Sequence, residues 1–336
     1  MTHPKDQYKN KVVCVTGAGG SIGSEICRRL VQYEAARVIL VGHSEFPLFE
    51  IEKELRPVAP TGAIRTALGS ITDAGFLDDV FEHSGVDIVI NAAAHKHVPL
   101  CEQNPLDAIL NNVGGVRTLS SVAACYGVDQ FIQISTDKAV RPASIMGATK
   151  RVGELYLKYF APRTSMKITT VRFGNVLNSS GSVLPLWCEQ LRQGKPITLT
   201  DKRCTRYFMS IPEAVDLTLG AGSLKPALYT FDMGKPQNLY EMARILIAEH
   251  QFDTIGRYDF DVSPYIIETG LRPGEKLTEE LHYGGELVKT PLPKVLEVRE
   301  HDGGHLVTWN DFQDLLMAAQ CRHESIAKEK LWELVR

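Results

Sequence analysis

The sequence predicts an α/β protein built on a doubly wound parallel sheet, with a smaller substrate-binding part interleaved on its C-terminal side. Three observations predict it. The short β-branched run "KVVCVTG" leads straight into glycines and then into helical periodicity, with Ile22, Ile26 and Leu30 recurring every four residues. Short apolar runs and amphipathic stretches then alternate, which is the pattern of a parallel sheet whose connections are helices. The spacing Gly17-x-x-Gly20-x-x-Gly23 falls at a strand–helix junction, the context that gives a glycine motif its meaning.

The elements follow in order. After the first strand, turn and helix come the strand "ARVILVG" and a helix in "PLFEIEKEL". "AIRTALGS" is a third strand followed by the helical "DAGFLDDVFEHS", and "VDIVINAAA" a fourth followed by "PLDAILNNVGGVRTLSSVAACYG". "QFIQIS" is the fifth, and a sixth carries "VRFGNV". Beyond about residue 290, "TWNDFQDLLMAAQ" and "IAKEKLWELVR" read as two amphipathic helices to which no chemistry is assigned.

Composition narrows the class of function. The chain has 336 residues, 44% of them hydrophobic and 23% charged, enough for one large or two interleaved domains with a substantial core. A net charge of −3 gives no electrostatic basis for binding nucleic acid or a membrane surface. The seven cysteines are scattered, without a C-x-x-C pair, so neither a disulfide framework nor a metal site is expected, and a reducing cytoplasm fits. No apolar run approaches the roughly 18 residues of a membrane span. The polar start "MTHPKDQYKNK" does not read as a signal peptide.

Glycines at the head of a helix permit a tight turn and close backbone approach, so the helix N-terminus can hold a pyrophosphate. A dinucleotide is therefore the expected ligand of Gly17, Gly20, Ser21, Ile22 and Gly23. About 20 residues past such glycines, an acidic side chain normally takes the ribose hydroxyls of NAD. Here the position is Gly42, followed by His43 and Ser44. The missing carboxylate removes the usual repulsion of a 2′-phosphate, while Glu45 could still turn toward the ribose, so NAD and NADP both stay open. Ser70 and Ile71 after the third strand, and the small residues Ala92, Ala93 and Ala94 after the fourth, complete the expected dinucleotide contacts.

"STDKAVRPASIMGATK" holds the chemistry. Thr136, Asp137 and Lys138 lie just past a parallel strand, at the carboxyl edge where open α/β sheets bind ligands. A solvated loop ion pair is the competing reading of Asp137 and Lys138. Lys150 stands where a Tyr-x-x-x-Lys pair would end, yet four residues before it is Met146, which cannot exchange a proton.

Together, T-G-x-x-G-x-x-G, "NAAA", "ISTDK", Lys150 and "VRFGNV" resemble an extended short-chain dehydrogenase/reductase, a Rossmann fold. "AAAHKHVPLCEQNP", "ISTDKAVRPASIMGATKR", "VRFGNVLNSSGSVLPLW", "TRYFMSIPEAVDL" and "ETGLRPGEKLTEEL" narrow this further. They are similar to the bacterial nucleotide-sugar 4,6-dehydratases of polysaccharide biosynthesis, over residues 10 to 285. The chain resembles the catalytic half of the large membrane-bound UDP-N-acetylglucosamine 4,6-dehydratases, without their N-terminal membrane region. Some members of that family also carry Met at the position of Met146. The resemblance implies a nucleotide-binding domain over 1–175 with returning segments at about 205–250. It implies a substrate-binding part at 176–204 and 251–290, and a helical tail over 291–336.

The implied reaction is redox-neutral: a tightly bound NAD(P) takes hydride from C4 of the sugar, water leaves from C6, and the hydride returns to C6. Its family roles fall on Thr136 (hydroxyl contact), Asp137 (acid) and Lys138 (base), with Lys150 on the nicotinamide ribose and Met146 as an apolar contact. Core packing is the competing role for Met146. Lys96 and His97 are implied sugar contacts, with ordinary hydrogen-bonded packing an alternative for His97. Asn175, Arg206 and Arg272 form the implied diphosphate set, arginine offering a planar fork to phosphate oxygens. Glu275 would accept from the nucleotide ribose, although "RPG" is also a turn signal. Ser182 and Val183 would meet the uracil through backbone groups.

The expectation is thus a cytoplasmic, homo-oligomeric enzyme acting on a UDP-sugar, with no metal and no membrane insertion. A nucleotide-sugar 4-epimerase and a non-catalytic NAD(P)-binding sensor are the alternatives. UDP against GDP, and the configuration at C5, stay open.

Overall fold

The computed structural model describes residues 4–255, 262–300 and 307–336. Of the segments assigned from sequence, 256–261 in the substrate part and 301–306 in the tail lie outside the described residues. Seven strands run parallel: β1 (Val12–Thr16), β2 (Arg37–Gly42), β3 (Ile64–Leu68), β4 (Ile88–Asn91), β5 (Gln130–Thr136), β6 (Lys167–Phe173) and β7 (Leu228–Phe231). An antiparallel hairpin, β8 (Glu286–Lys289) and β9 (Val295–Arg299), is added beside β7, giving the order 8-9-7-6-5-4-1-2-3. The order reverses between β1 and β4, which opens a crevice outside their carboxyl ends.

Both faces of the sheet are covered, as a parallel sheet requires, so its strands are near-continuous apolar runs. Helices α1 (Ser21–Gln32) and α2 (Glu45–Leu55) bury Ile26, Leu30, Leu48 and Ile51 on one face. Helices α3 (Ala74–Phe81), α4 (Gly115–Cys125) and α5 (Ile145–Phe160) bury Leu77, Leu119 and Val152 on the other. At the carboxyl edge the register sets Thr16 opposite Asn91 and Asn91 opposite Gln133. Thr16 Oγ1 donates to Asn91 Oδ1 (2.6 Å), and Asn91 Nδ2 donates to Gln133 Oε1 (2.8 Å). A buried polar chain of this kind is satisfied in one register only, because a one-residue slip turns every side chain to the other face.

The smaller part has its own core. Trp187 and Leu191 of helix α6 (Val183–Arg192) pack on Ile197 and Leu199, whose strand pairs in parallel with residues Ile266–Glu268. Helix α8 (Leu239–Ile255) adds Leu239, Ala243 and Ile247 to this cluster. The structure therefore differs from the expected returning segment of 205–250. Helix α7 (Ile211–Gly222) and β7 rejoin the sheet, whereas α8 turns its buried side chains toward Trp187.

The segment expected as a helical tail also differs, because it opens with β9, where Val295 and Val298 are buried. Five residues are too few for alternation to show against the longer helical pattern behind them. Helices α9 (Trp309–Gln320) and α10 (Glu324–Val335) follow, and Phe312 meets the Tyr156 ring of α5 edge-on at 5.3 Å. The tail thus buttresses α5. Among the described residues no helix is long and apolar enough to cross a membrane.

One buried ion network joins these pieces. Arg172 on β6, 1% exposed, donates from Nε and Nη2 to both carboxylate oxygens of Glu154 on α5, and from Nη2 to Glu300 after β9 at 2.8 Å. Ser135 Oγ donates to Glu154 Oε1 (2.6 Å), and Arg151 reaches both acids. Burial alone would raise the Glu154 pKa, but the charge and hydrogen bonds of Arg172, with Arg151 and Ser135, hold it at about 2. A folded pKa below the ordinary 4.5 contributes stability that is present above pH 4.5 and is lost as pH falls toward 2. Arg172→Met should cost roughly 3–5 kcal/mol by stranding the buried acid. Urea unfolding midpoints at pH 7 check this. The midpoint of the unaltered protein should also fall more steeply below pH 4.5 than that of Glu154→Gln.

Candidate functional site

The site is organised by a backbone contact. Strand β5 ends at Thr136, residues Asp137–Ala139 make a 3₁₀ turn, and the chain folds back onto the start of α5. A Cβ on Gly147 would lie 2.3 Å from the Lys138 carbonyl oxygen, so only glycine admits the loop this close. Ser144 caps α5 by accepting from the Gly147 N–H (3.0 Å), and Glu102 accepts from the Ile145 N–H (2.7 Å).

This fold places the three expected residues in one hydrogen-bonded group. Asp137 is wholly buried, and its Oδ1 accepts from Thr136 Oγ1 (2.8 Å) and Lys138 Nζ (2.9 Å). Lys138 Nζ also donates to Asn175 Oδ1 (3.0 Å), so Asn175 serves Lys138 as well as facing the cleft. On α5, Lys150 Nζ donates to the Ile134 carbonyl (2.7 Å), and burial pushes its pKa down to about 8 against the opposing charge of Glu154. Met146, 4% exposed, belongs to the core cluster beneath.

The residues expected to meet a dinucleotide line the carboxyl ends of β1 to β4. Gly17 adopts φ 66°, and a Cβ there would lie 2.8 Å from the Ala92 and Ala93 backbone. A Cβ on Gly23 would lie 2.1 Å from the Gly17 carbonyl oxygen. Gly20 precedes α1 without a side-chain cap, so the first-turn N–H groups stay open to an anion. Ile22 is half-buried at that turn. The exposed His43 and Ser44 follow β2, with the His95 ring edge-on to His43 at 6.5 Å. Ser70 and Ile71 follow β3, and Ala94 is half-buried after β4. Sequence reasoning missed Asn112, in a π-helical turn (Leu110–Gly114), whose amide bonds both backbone groups of His95 and the Thr149 hydroxyl of α5. These residues fit a dinucleotide at the crevice.

Lys96 Nζ donates to the Ser180 carbonyl (2.7 Å), Ser180 N–H donates to Ser21 Oγ (3.0 Å), and the His97 ring covers Gly181. Lys96 and His97 therefore hold the loop ahead of α6. Burial lowers both their pKa values, the Lys96 charge adding to the effect at His97. Opposite, residues 272–280 dock on the 136–145 loop. Lys276 Nζ donates to the Val140 carbonyl (2.9 Å), Arg141 pairs with Glu280, and Gly274 packs on Ser144.

Between these walls lies a cleft lined by Lys138, Asn175, Ser182, Val183, Arg206, Arg272, Glu275 and Glu279. Arg272 is exposed there, and Glu275 accepts from the Arg272 N–H (3.1 Å). Arg206 is largely committed to the protein: its Nη atoms donate to the carbonyls of Thr205, Lys276 and Leu277. Glu279 was not singled out in the sequence. The letters of "TEEL" do not tell which glutamate is buried. Six buried side-chain oxygens lack a partner among the described residues; two of them, on Ser182 and Glu279, line this cleft, and a third, Asp137 Oδ2, lies buried next to Lys138. Buried polar groups are nearly always paired, so this concentration marks a place where a ligand supplies the partners. No group of three or more His, Cys, Asp or Glu among the described residues could hold a metal.

Comparison with known proteins agrees with this architecture. A family described as polysaccharide biosynthesis protein matches residues 13–300. The probable polysaccharide biosynthesis protein EpsC of Bacillus subtilis is 38% identical over 92% of this chain and 51% of its own, so the chain spans about half the length of that relative. A UDP-glucose 4-epimerase of Rickettsia canadensis is 31% identical over 69% of this chain and 66% of its own. Among solved structures, Pen from Bacillus thuringiensis superposes with TM-score 0.76 at 29% identity, covering 87% of this chain and 90% of its own. The dTDP-glucose 4,6-dehydratase DesIV of Streptomyces venezuelae, solved with NAD, shares the fold, with TM-score 0.67 at 24% identity over 80% of this chain and 87% of its own. The glycine turn, the 136–138 group and the crevice between β1 and β4 thus stand on a Rossmann-type extended short-chain dehydrogenase/reductase fold, and the chain belongs to the polysaccharide biosynthesis protein family.

Proposed function

We propose that the chain is a UDP-N-acetylglucosamine 4,6-dehydratase that makes a 4-keto-6-deoxy sugar nucleotide for surface-glycan synthesis. The observation that carries this reading is the hydrogen-bonded Thr136–Asp137–Lys138 group, an acid and a base side by side at a sheet's carboxyl edge. Simple oxidation and reduction at C4 needs no such pair, whereas loss of water between C5 and C6 does.

NAD(P) at the glycine turn would accept hydride from C4 and return it to C6. Lys150 would hold the nicotinamide ribose. Thr136 would contact the C4 hydroxyl, whose proton passes to Thr136, to water or to Lys138. Lys138 would take the C5 proton, made acidic by the neighbouring ketone, and return a proton to C5 as hydride reaches C6. Asp137 would protonate the departing C6 oxygen through Oδ2, its oxygen without a partner. Arg272 would take the diphosphate, with Arg206 adding charge from behind; Glu275 would face the nucleotide ribose, and Ser182 and Val183 the uracil.

Likeness to a UDP-glucose 4-epimerase favours a second reading, in which hydride returns to C4. Proton NMR separates the two. With UDP-N-acetylglucosamine and no added NAD(P), a new C6 methyl doublet is expected, and denaturing the pure protein should release dinucleotide. Stoichiometric build-up of free NAD(P)H, or epimer without methyl, would reject the dehydratase.

Lys138→Ala and Asp137→Asn should each abolish the methyl product with the fold intact, while Met146→Ala only slows it. Exchange of the C5 proton in deuterium oxide should vanish with Lys138→Ala and persist in Asp137→Asn. Near-normal dehydration by Lys138→Ala would place the base elsewhere. Arg272→Ala should weaken UDP binding by calorimetry about tenfold or more, the roughly 1.5–3 kcal/mol of a charge-assisted hydrogen bond. Arg206→Ala should weaken binding and also lower the melting temperature, because it strips three carbonyls of their donor.

A further inference from the structure

Glu279 has no task in the reaction as proposed, yet it sits in the wall of the cleft. Its side chain is 4% exposed. Oε1 lies 3.9 Å from Lys138 Nζ and 4.0 Å from Arg206 Nε, both beyond hydrogen-bond reach. Oε2 is buried and has no partner. Of the nearby acids, Glu275 takes the Arg272 N–H and Glu280 pairs with Arg141, while Asp137 keeps Oδ2 without a partner. Burial raises the Glu279 pKa, and the charge of Asp137 adds to this against the lowering effects of Lys138, Arg206 and Lys276.

A carboxyl group built only for stability would be paired, because an unsatisfied buried oxygen is costly. The position tells which ligand atom is missing. Glu279 stands between Lys138, where the sugar would react, and Arg206, on the diphosphate side. Phosphate oxygens carry negative charge and no proton to offer a carboxylate. A sugar hydroxyl offers one.

We propose that Glu279 is a sugar-binding residue, whose free Oε2 hydrogen-bonds a hydroxyl of the hexose seated beside Lys138. The proposal rests on the nucleotide-sugar reading of the cleft but not on dehydration as its reaction. Glu279 then acts on the sugar half of the ligand alone, fixing which face of the hexose meets Lys138.

Calorimetry on the purified protein with UDP and with UDP-N-acetylglucosamine tests this. Glu279→Ala should leave UDP affinity unchanged and weaken UDP-N-acetylglucosamine about tenfold, the size of one hydrogen bond to a charged group. Glu279→Gln, which keeps an oxygen at the site, should lose less, and carries the same comparison if the alanine variant fails to fold. Equal weakening of both ligands would show a structural role and overturn the proposal, as would no change in either ratio or failure of the unaltered protein to bind the sugar nucleotide. The proton NMR assay keeps the two readings apart. Loss of the sugar's share without any methyl product leaves Glu279 assigned and rejects the dehydratase. Methyl product with an unchanged ratio does the reverse.

Discussion

The contact between the Lys138 carbonyl and Gly147 decides the geometry of everything near it. Because no side chain stands at 147, the loop leaving β5 can double back onto the first turn of α5. That return puts Asp137 beneath the loop, out of water, and turns the Lys138 side chain toward the cleft. It also brings Lys150 within reach of the β5 backbone, so Lys138 and Lys150 are held by one strand and one helix. Residues 272–280 then find a shaped surface to dock on, through Val140, Arg141 and Ser144. A residue larger than glycine at 147 would move all of these together.

The cleft that results is under-satisfied by design of its surroundings. Asp137 spends one oxygen on its neighbours and leaves the other bare, while the Ser182 hydroxyl and Glu279 Oε2 have no partner among the described residues. Such groups lower the stability of the empty protein and are retained where a ligand completes them. The compensation is visible below the site, where Arg172, Glu154, Arg151 and Ser135 are fully engaged. Loose ends above rest on a closed network below.

How much of this could be read from the letters varies with how local the cause is. Strands β1 to β6 and the glycine turn were legible because their signals are local: apolar runs, turn residues and helical spacing. The 136–138 group was legible because it ends a strand. Glu279 and Glu280 were not distinguishable, since full burial of one and half-burial of the other depends on docking against Arg141, about 140 residues away in the chain. Asn112 was hidden inside a helical pattern, where a π turn aims its amide at His95. Arg206 looked like a plain phosphate ligand because the carbonyls it serves are set by tertiary contact. The placing of α8 is likewise tertiary, since Leu239, Ala243 and Ile247 are buried in the Trp187 cluster and not against the sheet.

Glu300 adds a matter of timing. Arg172 is buried between an acid 18 residues behind it and another 128 residues ahead. While the chain is being made, at roughly 5–20 residues per second, Arg172 and Glu154 emerge many seconds before Glu300 can reach them. Through that interval the sheet edge that β9 will cover, first at β6 and then at β7, stays open, and α5 lacks its outer support. The helix carrying Lys150 therefore gains its buried support from Glu300 only after β9 has been made, although its own residues are made well before, and the site above it waits on that strand.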